Sequence, residues 1–337
     1  MIQNNTRQAI HVADASYIVV EGFELIGQNK QLTLEFAMEH KTDKTRWDTN
    51  AAGVQIWNWE TGGHSHHVIV RNNKIHDFGG NGVVGSECDC ITVADNTIYS
   101  NGFYSIWVGW GIIFWQPRPL VQALGYKFVI RGNRIFDIWS YIPYVDEADV
   151  TEPLRNAAIM LDLFTQHGQS GPSLIEGNIV YRNQGCGIQN YEGINVDVVN
   201  NTLFENLLGE GPDWGEYCDF RSRGSRVFNN VFVAGKGHKT TFVKSTIPDA
   251  ILDNNLHWPK DARIDRKGPN DRIGDPKFVS TAGKTTDGHT TAAGWDFHLE
   301  EGSAAVDWAL PEKTPAFDAD GKKRPLDEKS DLGALER

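Results

Sequence analysis

The sequence is poor in cysteine, in long apolar runs and in basic residues, and each shortage excludes something. Four cysteines in 337 residues (Cys88, Cys90, Cys186 and Cys218) give no disulfide framework by their spacing. Cys88-Asp89-Cys90 is too tight for the usual zinc pair, so buried thiols are expected. Lys and Arg number 32 against 44 Asp and Glu, a formal charge of −12. That balance argues against nucleic acid as a partner and repels anionic ligands at long range. No apolar run reaches the ~18 residues of a membrane span; the nearest candidate, Tyr104 to Trp115, stops at twelve. The opening MIQNNTRQAI lacks the basic start and apolar stretch of a signal peptide. Segments of helical period are nearly absent. Against these shortages stand 34 glycines, 13 prolines and 11 tryptophans, with 40% hydrophobic residues. This is a globular composition of short strands and turns with aromatic surface to spare.

The informative feature is an internal repeat. Seven segments share apolar residues, an asparagine, a variable residue and another apolar one: VRNNKI (Asn73), VADNTI (Asn96), IRGNRI (Asn133), LIEGNIV (Asn178), VVNNTL (Asn201), VFNNVF (Asn230) and LDNNLH (Asn255). VVEGFEL (Val19 to Leu25) fits the frame with Phe23 in place of the asparagine. The asparagines are spaced 23, 37, 45, 23, 29 and 25 residues apart, a unit of about 23 with insertions. Short strands opening on small residues precede many of them, at 53–57, 82–86, 158–162 and 187–191. A unit of this length and content is one coil of a solenoid of parallel strands. Asparagine suits its corners because it tolerates the left-handed region and bonds neighbouring amides. Stacked coils then superpose equivalent asparagines into a hydrogen-bonded ladder, a structural role.

The repeat resembles the right-handed parallel β-helix (pectate-lyase-like) bacterial proteins over about Ser16 to Leu256. DPKF (275–278), WDFHLEEGSAAVD (295–307), FDADGKKRP (317–325) and DLGALE (331–336) resemble the tail that many of them carry. The resemblance implies an all-β fold: a single solenoid of about eight or nine coils over 1–258, then an irregular C-terminal segment over 259–337 packed on it. It also implies a secreted or periplasmic protein. Relatives carry one or more coils and a capping helix before the first rung. Here that rung begins at Ser16, and an open solenoid end exposes strand edges and invites self-association. A short strand over Ala9 to Ala13, or a partner chain, is expected there.

Function is expected where insertions leave the coil. Four long ones, Gln28–Asn50, Phe103–Gly125, Trp139–Asn156 and Leu207–Glu216, are placed at one corner, flanking one groove. They carry Trp107, Trp110, Trp115, Arg118, Trp139, Tyr141, Tyr144, Asp146, Glu147, Asp149, Glu152, Glu210, Asp213, Trp214 and Glu216. A single tryptophan is more often packing. This density with acids and amides suits a polysaccharide or oligosaccharide, whose CH-rich faces stack on rings. Counting back from each asparagine aligns Trp57, Ser86, Trp115, Asp162, Tyr191, Phe220 and Ser245 as the groove floor. Glu87, Glu192 and Arg221 follow this column, and Asp219 and Lys244 precede it. Asp162 ends the apolar strand AIMLD, a costly place for a carboxylate unless it faces the groove.

Two chemistries fit. In β-elimination on a uronic-acid glycan, Lys244 or Tyr191 removes the C5 proton and Arg221, Arg223 or an acid-bound Ca²⁺ neutralises the carboxylate. In glycoside hydrolysis, Asp162 pairs with Asp219 or Glu192. The acid-rich composition leans to the hydrolase, but the resemblance implies a polysaccharide lyase cleaving a uronic-acid glycan, which is the activity expected here, with the glycoside hydrolase as the alternative. The sequence carries no motif of the well-known β-helix lyases, polygalacturonases or mannuronan epimerases, so no catalytic residue transfers from them. A third reading is a non-catalytic glycan-binding surface β-helix, which long insertions disfavour. His64, His66, His67 and His76-Asp77 raise a metal site, but no third ligand stands at a fitting position, so the metal assignment stays open.

Overall fold

The computed structural model describes residues 1–3, 8–57, 64–122, 124–145, 156–168, 171–244, 249–286 and 289–337. The acids Asp146, Glu147, Asp149 and Glu152 of the third insertion, and Ser245, lie outside the described residues.

The chain winds through three parallel sheets, giving each coil one strand in each. The groove sheet runs from Gln8–Val12 through Ala157–Asp162, Cys186–Tyr191 and Tyr217–Phe220 to Lys239–Lys244 and Arg263–Ile264. The back sheet runs from Ser16–Glu21 to Ile251–Asp253. The asparagine sheet runs from Ile2–Gln3 to Leu256–Trp258 and Arg272–Ile273. This is the parallel β-helix that the repeat implied. β-Branched and large apolar side chains alternate into its interior, because successive strand residues face opposite ways. In the asparagine sheet Leu25, Ile75, Ile98, Ile135, Val180, Leu203 and Phe232 stack in register, fully buried. Each buried aliphatic side chain contributes about 1.5–3 kcal/mol.

The asparagine ladder forms as the repeat requires. Each side-chain amide from Asn73 to Asn230 donates to the Oδ1 of the next asparagine at 2.9–3.0 Å. The same oxygen also accepts the backbone N–H of the preceding coil. The Phe23 rung, which has no amide, enters through its N–H to Asn73 Oδ1 at 3.0 Å. At the other end Asp271 replaces the next asparagine, accepting from Asn255 N at 2.7 Å and from Asn255 Nδ2 at 3.2 Å. Its second oxygen accepts from Gly268 N and meets His257 Nε2 at 3.1 Å. The residue before each ladder position is left-handed: Asn72, Asp95, Asn200, Asn229 and Asn254 at φ 51–60°, and Gly132 and Gly177 at 62–63°. This corner therefore takes Gly, Asn or Asp, the residues that adopt such a φ at low cost.

The paired asparagines have two separate uses. Asn201, Asn230 and Asn255 build the ladder, while Asn200, Asn229 and Asn254 point outward and hold the tail. Asn200 donates to the carbonyls of Asp331 and Gly333, Asn229 to that of Leu310, and Asn254 to that of Trp308. The tail buries the outer face of the asparagine sheet, where Phe136, Tyr181 and Phe204 meet Trp295 and Phe297. Buried Arg324 locks it, pairing with Glu336 at 2.6 Å and bonding the carbonyls of Asp331 and Gly333.

Three details differ from the sequence reading. The solenoid passes the boundary at 258, since Arg263–Ile264 and Arg272–Ile273 pair onto two sheets and Asp271 ends the ladder. The insertion over 103–125 is divided by the strand Ile112–Trp115, so its second half leaves at the opposite corner. The first insertion holds a short helix, Leu34–Glu39, capped by Thr33. The expected N-terminal strand is present as Gln8–Val12, paired with Ala52–Ile56. No helix among the described residues is long and apolar enough to cross a membrane.

Candidate active site on the groove sheet

The outer face of the groove sheet carries a column set by strand register. Ser86, Trp115, Asp162, Tyr191, Phe220 and Lys244 are aligned partners on successive coils, about 4.8 Å apart. Trp57 extends the column, its ring 5.6 Å from that of Trp115. Lys244 thus stands in the column, and the count that placed Ser245 there is corrected. Asn255 lies 11 positions after Lys244, against 10 from Tyr191 to Asn201, so the sequence is one residue longer here. Walls rise on both sides: segments such as 207–216 follow the asparagine sheet, and 116–122 and 163–168 follow the groove sheet.

The position after the column is left-handed on five successive coils: Glu87, Gln116, Leu163, Glu192 and Arg221, at φ 48–56°. None is Gly, Asn or Asp, although an L-residue pays about 1–2 kcal/mol there. The backbone ladder continues through the corner, with Leu163 N donating to Tyr191 O and Glu192 N to Phe220 O. The strained conformation therefore belongs to the coil and places Glu192 and Arg221 at the groove edge.

Asp162 is the one acid within the column, between Trp115 and Tyr191. Desolvation first, then the Glu192 carboxylate, raises its pKa to about 7, offset in part by the Leu163 amide. Glu192 is held by the Thr165 hydroxyl at 3.0 Å and by Arg221 Nη1 at 3.5 Å. The same Arg221 nitrogen donates to the Tyr191 hydroxyl at 3.1 Å, and its guanidinium lies 5.8 Å from the Tyr191 ring centre. Asp162, Tyr191, Glu192 and Arg221 thus form one cluster across three coils. Lys244 lies three coils from Asp162, at the far end of the column.

Asp219 is not part of it. Strand alternation turns the residue before the column inward, and Asp219 aligns with Asn190 and Leu161 in the interior, fully buried. Its Oδ2 accepts from Tyr217 Oη at 3.0 Å, and burial raises its pKa. The pairing of Asp162 with Asp219 is therefore withdrawn.

The tryptophans divide into two groups. Trp57 and Trp115 meet edge to face on the column, and Trp110, Trp115 and Trp214 pack in one cluster with Tyr191, Phe220 and Phe242. Trp107 instead packs with Ile106 and Ile142 and meets the Tyr144 ring edge to face, joining two insertions, with Lys44 over the Trp107 ring. Trp139 lies against Tyr141, which contacts Phe103. These three stabilise the wall. Arg118 holds Glu87 at 2.7 Å, and buried Lys127 pairs with Asp89 at 2.6 Å, tying both residues to the preceding coil.

The sequence reading gave Thr165 no role, since an exposed threonine within an insertion carries no signal. It named Glu216 only as an acid of a loop. Glu216 is fully buried and ends a second amide series, in which Asn183 donates to Asn206 and Asn206 to Glu216 at 2.8 and 2.6 Å. Burial raises its pKa to about 8 despite the Asn206 donors. Among the histidines, His66 and His67 bring their Nδ1 atoms within 2.8 Å. Among the described residues no group of three or more His, Cys, Asp or Glu converges on a metal position.

A family model described as the right-handed β-helix region matches residues 64–255. Among solved structures the chain is similar to pectate lyase Pel9A, at 19% identity and TM-score 0.45, over 86% of this chain and 75% of that one. It is similar to XylC in complex with xylose at 12% identity and TM-score 0.46, over 94% of this chain and 59% of that one. It is also similar to the A-module of mannuronan C-5 epimerase AlgE4 from Azotobacter vinelandii, at 12% identity and TM-score 0.41, over 79% and 74%. No curated protein matches it. With the family match covering more than half of its length, and with three stacked parallel sheets and an asparagine ladder, the chain belongs to the right-handed β-helix family.

Proposed function

We propose that the groove sheet binds a polysaccharide along the solenoid axis and that the cluster around Asp162 hydrolyses a glycosidic bond. The observation carrying this reading is an acid of pKa about 7 set between aromatic platforms, Trp57 and Trp115 on one side, Tyr191 and Phe220 on the other. A carboxyl group of that pKa holds a proton near neutrality and delivers it to the departing oxygen. Glu192 is the second carboxylate, oriented by Thr165 and Arg221, and serves as base or nucleophile. The rings take the CH-rich sugar faces. Substrates of this class are met outside the cytoplasm, which is the location proposed here.

One observation favours a second chemistry, the Arg221–Tyr191 hydrogen bond. If the sugar is a uronate, Arg221 receives its carboxylate and Tyr191 removes the C5 proton, giving β-elimination. Lys244, three coils from Asp162, then contacts the distal glycan, and Ca²⁺ would be recruited by the substrate carboxylates. A panel of neutral and uronic polysaccharides separates the readings by reducing ends and by the ultraviolet absorbance of unsaturated products. New ends without absorbance are expected. New ends with absorbance would replace hydrolysis by elimination, and binding without new ends across the panel would leave a glycan-binding β-helix.

A further inference from the structure

We propose that Cys186 and Cys218 are a cross-linking site, joined as a disulfide when the chain folds under oxidising conditions. The four cysteines are free thiols in the structure, but these two differ from the others. Their sulfur atoms touch at 2.7 Å, and each is the other's hydrogen-bond partner. Both are fully buried on the groove side, against Ile113, Ala157, Met160 and Leu207. Register alone sets Cys218 opposite Gln189. A bend brings Cys186 to it: a side chain at Gly187 would meet Leu203, and Ile188 lies in the core, so two consecutive positions face inward. The chain between the two cysteines includes the wall over 207–216, whose Trp214 packs on Phe220 of the candidate site. A cross-link would fix this wall across neighbouring coils.

The reaction requires a disulfide-exchange oxidant such as oxidised glutathione. One cysteine thiolate attacks it, releasing one small thiol and leaving a mixed disulfide. The second cysteine then displaces the other small thiol, so two protein thiols are oxidised and one small disulfide is reduced. Because both sulfurs are buried in the folded chain, exchange occurs while the coils are still open.

The test refolds the reduced, denatured full chain either with reduced and oxidised glutathione or with dithiothreitol. Each product is denatured without reductant, alkylated, and mapped by peptide mass. Two alkylated cysteines, Cys88 and Cys90, with the Cys186 and Cys218 peptides joined, are expected after glutathione, and four alkylated cysteines after dithiothreitol. The joined form should unfold at a temperature several degrees higher. The double variant C186S/C218S should show no difference between the two buffers; if it fails to fold, the peptide map still decides. Four alkylated cysteines after glutathione, or a bond through Cys88 or Cys90, would overturn the proposal.

Discussion

Replacing Asn178 by alanine measures what one rung of the ladder contributes. Its Nδ2 donates to Ile130 O and Asn201 Oδ1, both at 2.9 Å. Its Oδ1 accepts from Asn133 N and Asn133 Nδ2, both at 3.0 Å. The substitution removes four hydrogen bonds at a fully buried position. At about 1 kcal/mol net per bond the loss is about 4 kcal/mol, and the orphaned Asn133 N–H adds about 1–3 kcal/mol. Asn133 Nδ2 keeps Val93 O and Arg131 O, which limits the excess. Urea unfolding of the full chain should therefore lose about 5–7 kcal/mol with an unchanged slope. The variant N178D should be at least as destabilised, because its oxygens accept but cannot donate to Ile130 O. Asp271 escapes that conflict, since its second oxygen faces Gly268 N and His257. A loss under about 1 kcal/mol for N178A would refute the claim that the amide series, rather than apolar stacking alone, fixes the coils.

Two further outcomes follow from the corner and from buried acid. E192G should preserve or slightly raise thermal stability, since glycine relieves up to about 1–2 kcal/mol of left-handed strain, yet lower turnover by about 100-fold or more. A large loss of stability instead would mark Glu192 as structural. Glu216 has a raised pKa, so its folded state binds more protons than the unfolded chain between the ordinary glutamate value of 4.5 and about 8. Its contribution to stability is therefore present below 4.5 and is lost as pH rises, with a slope of about 1.4 kcal/mol per pH unit. E216Q should flatten that part of a stability–pH curve; an unchanged curve would remove Glu216 as its source.

The fold was legible because its signal is periodic. Asn73 to Asn255 recur in a fixed local frame, and the ladder uses each of them. Features that break the period were not legible. Asp271 lacks the apolar frame, and although Asn183 and Asn206 each stand five residues after a ladder asparagine, that position is Ile138 after Asn133 and Gly235 after Asn230, and the series ends on Glu216. The column was recovered from Ser86 to Phe220 because strand residues alternate. The same alternation should have turned Asp219 inward, and at Lys244 a sequence interval one residue longer shifted the count. Asp162 stood out as a carboxylate ending an apolar strand. The hold on Glu192 by Thr165 and Arg221 depends on contacts between coils, which spacing along the chain does not encode.

The central claim, that Asp162 is the proton donor of a glycan-cleaving groove, is tested most directly by the pH dependence of polysaccharide cleavage. Wild-type protein and D162N should be followed on whichever polysaccharide of the panel is degraded. Because the protonated carboxyl is the active form, the wild-type rate should fall as pH rises through about 7, the value set by burial and Glu192. D162N should lose about 10²–10⁴-fold in rate and show no such limb, while retaining glycan binding. A D162N variant that cleaves at the wild-type rate, with the alkaline limb intact, would contradict the assignment.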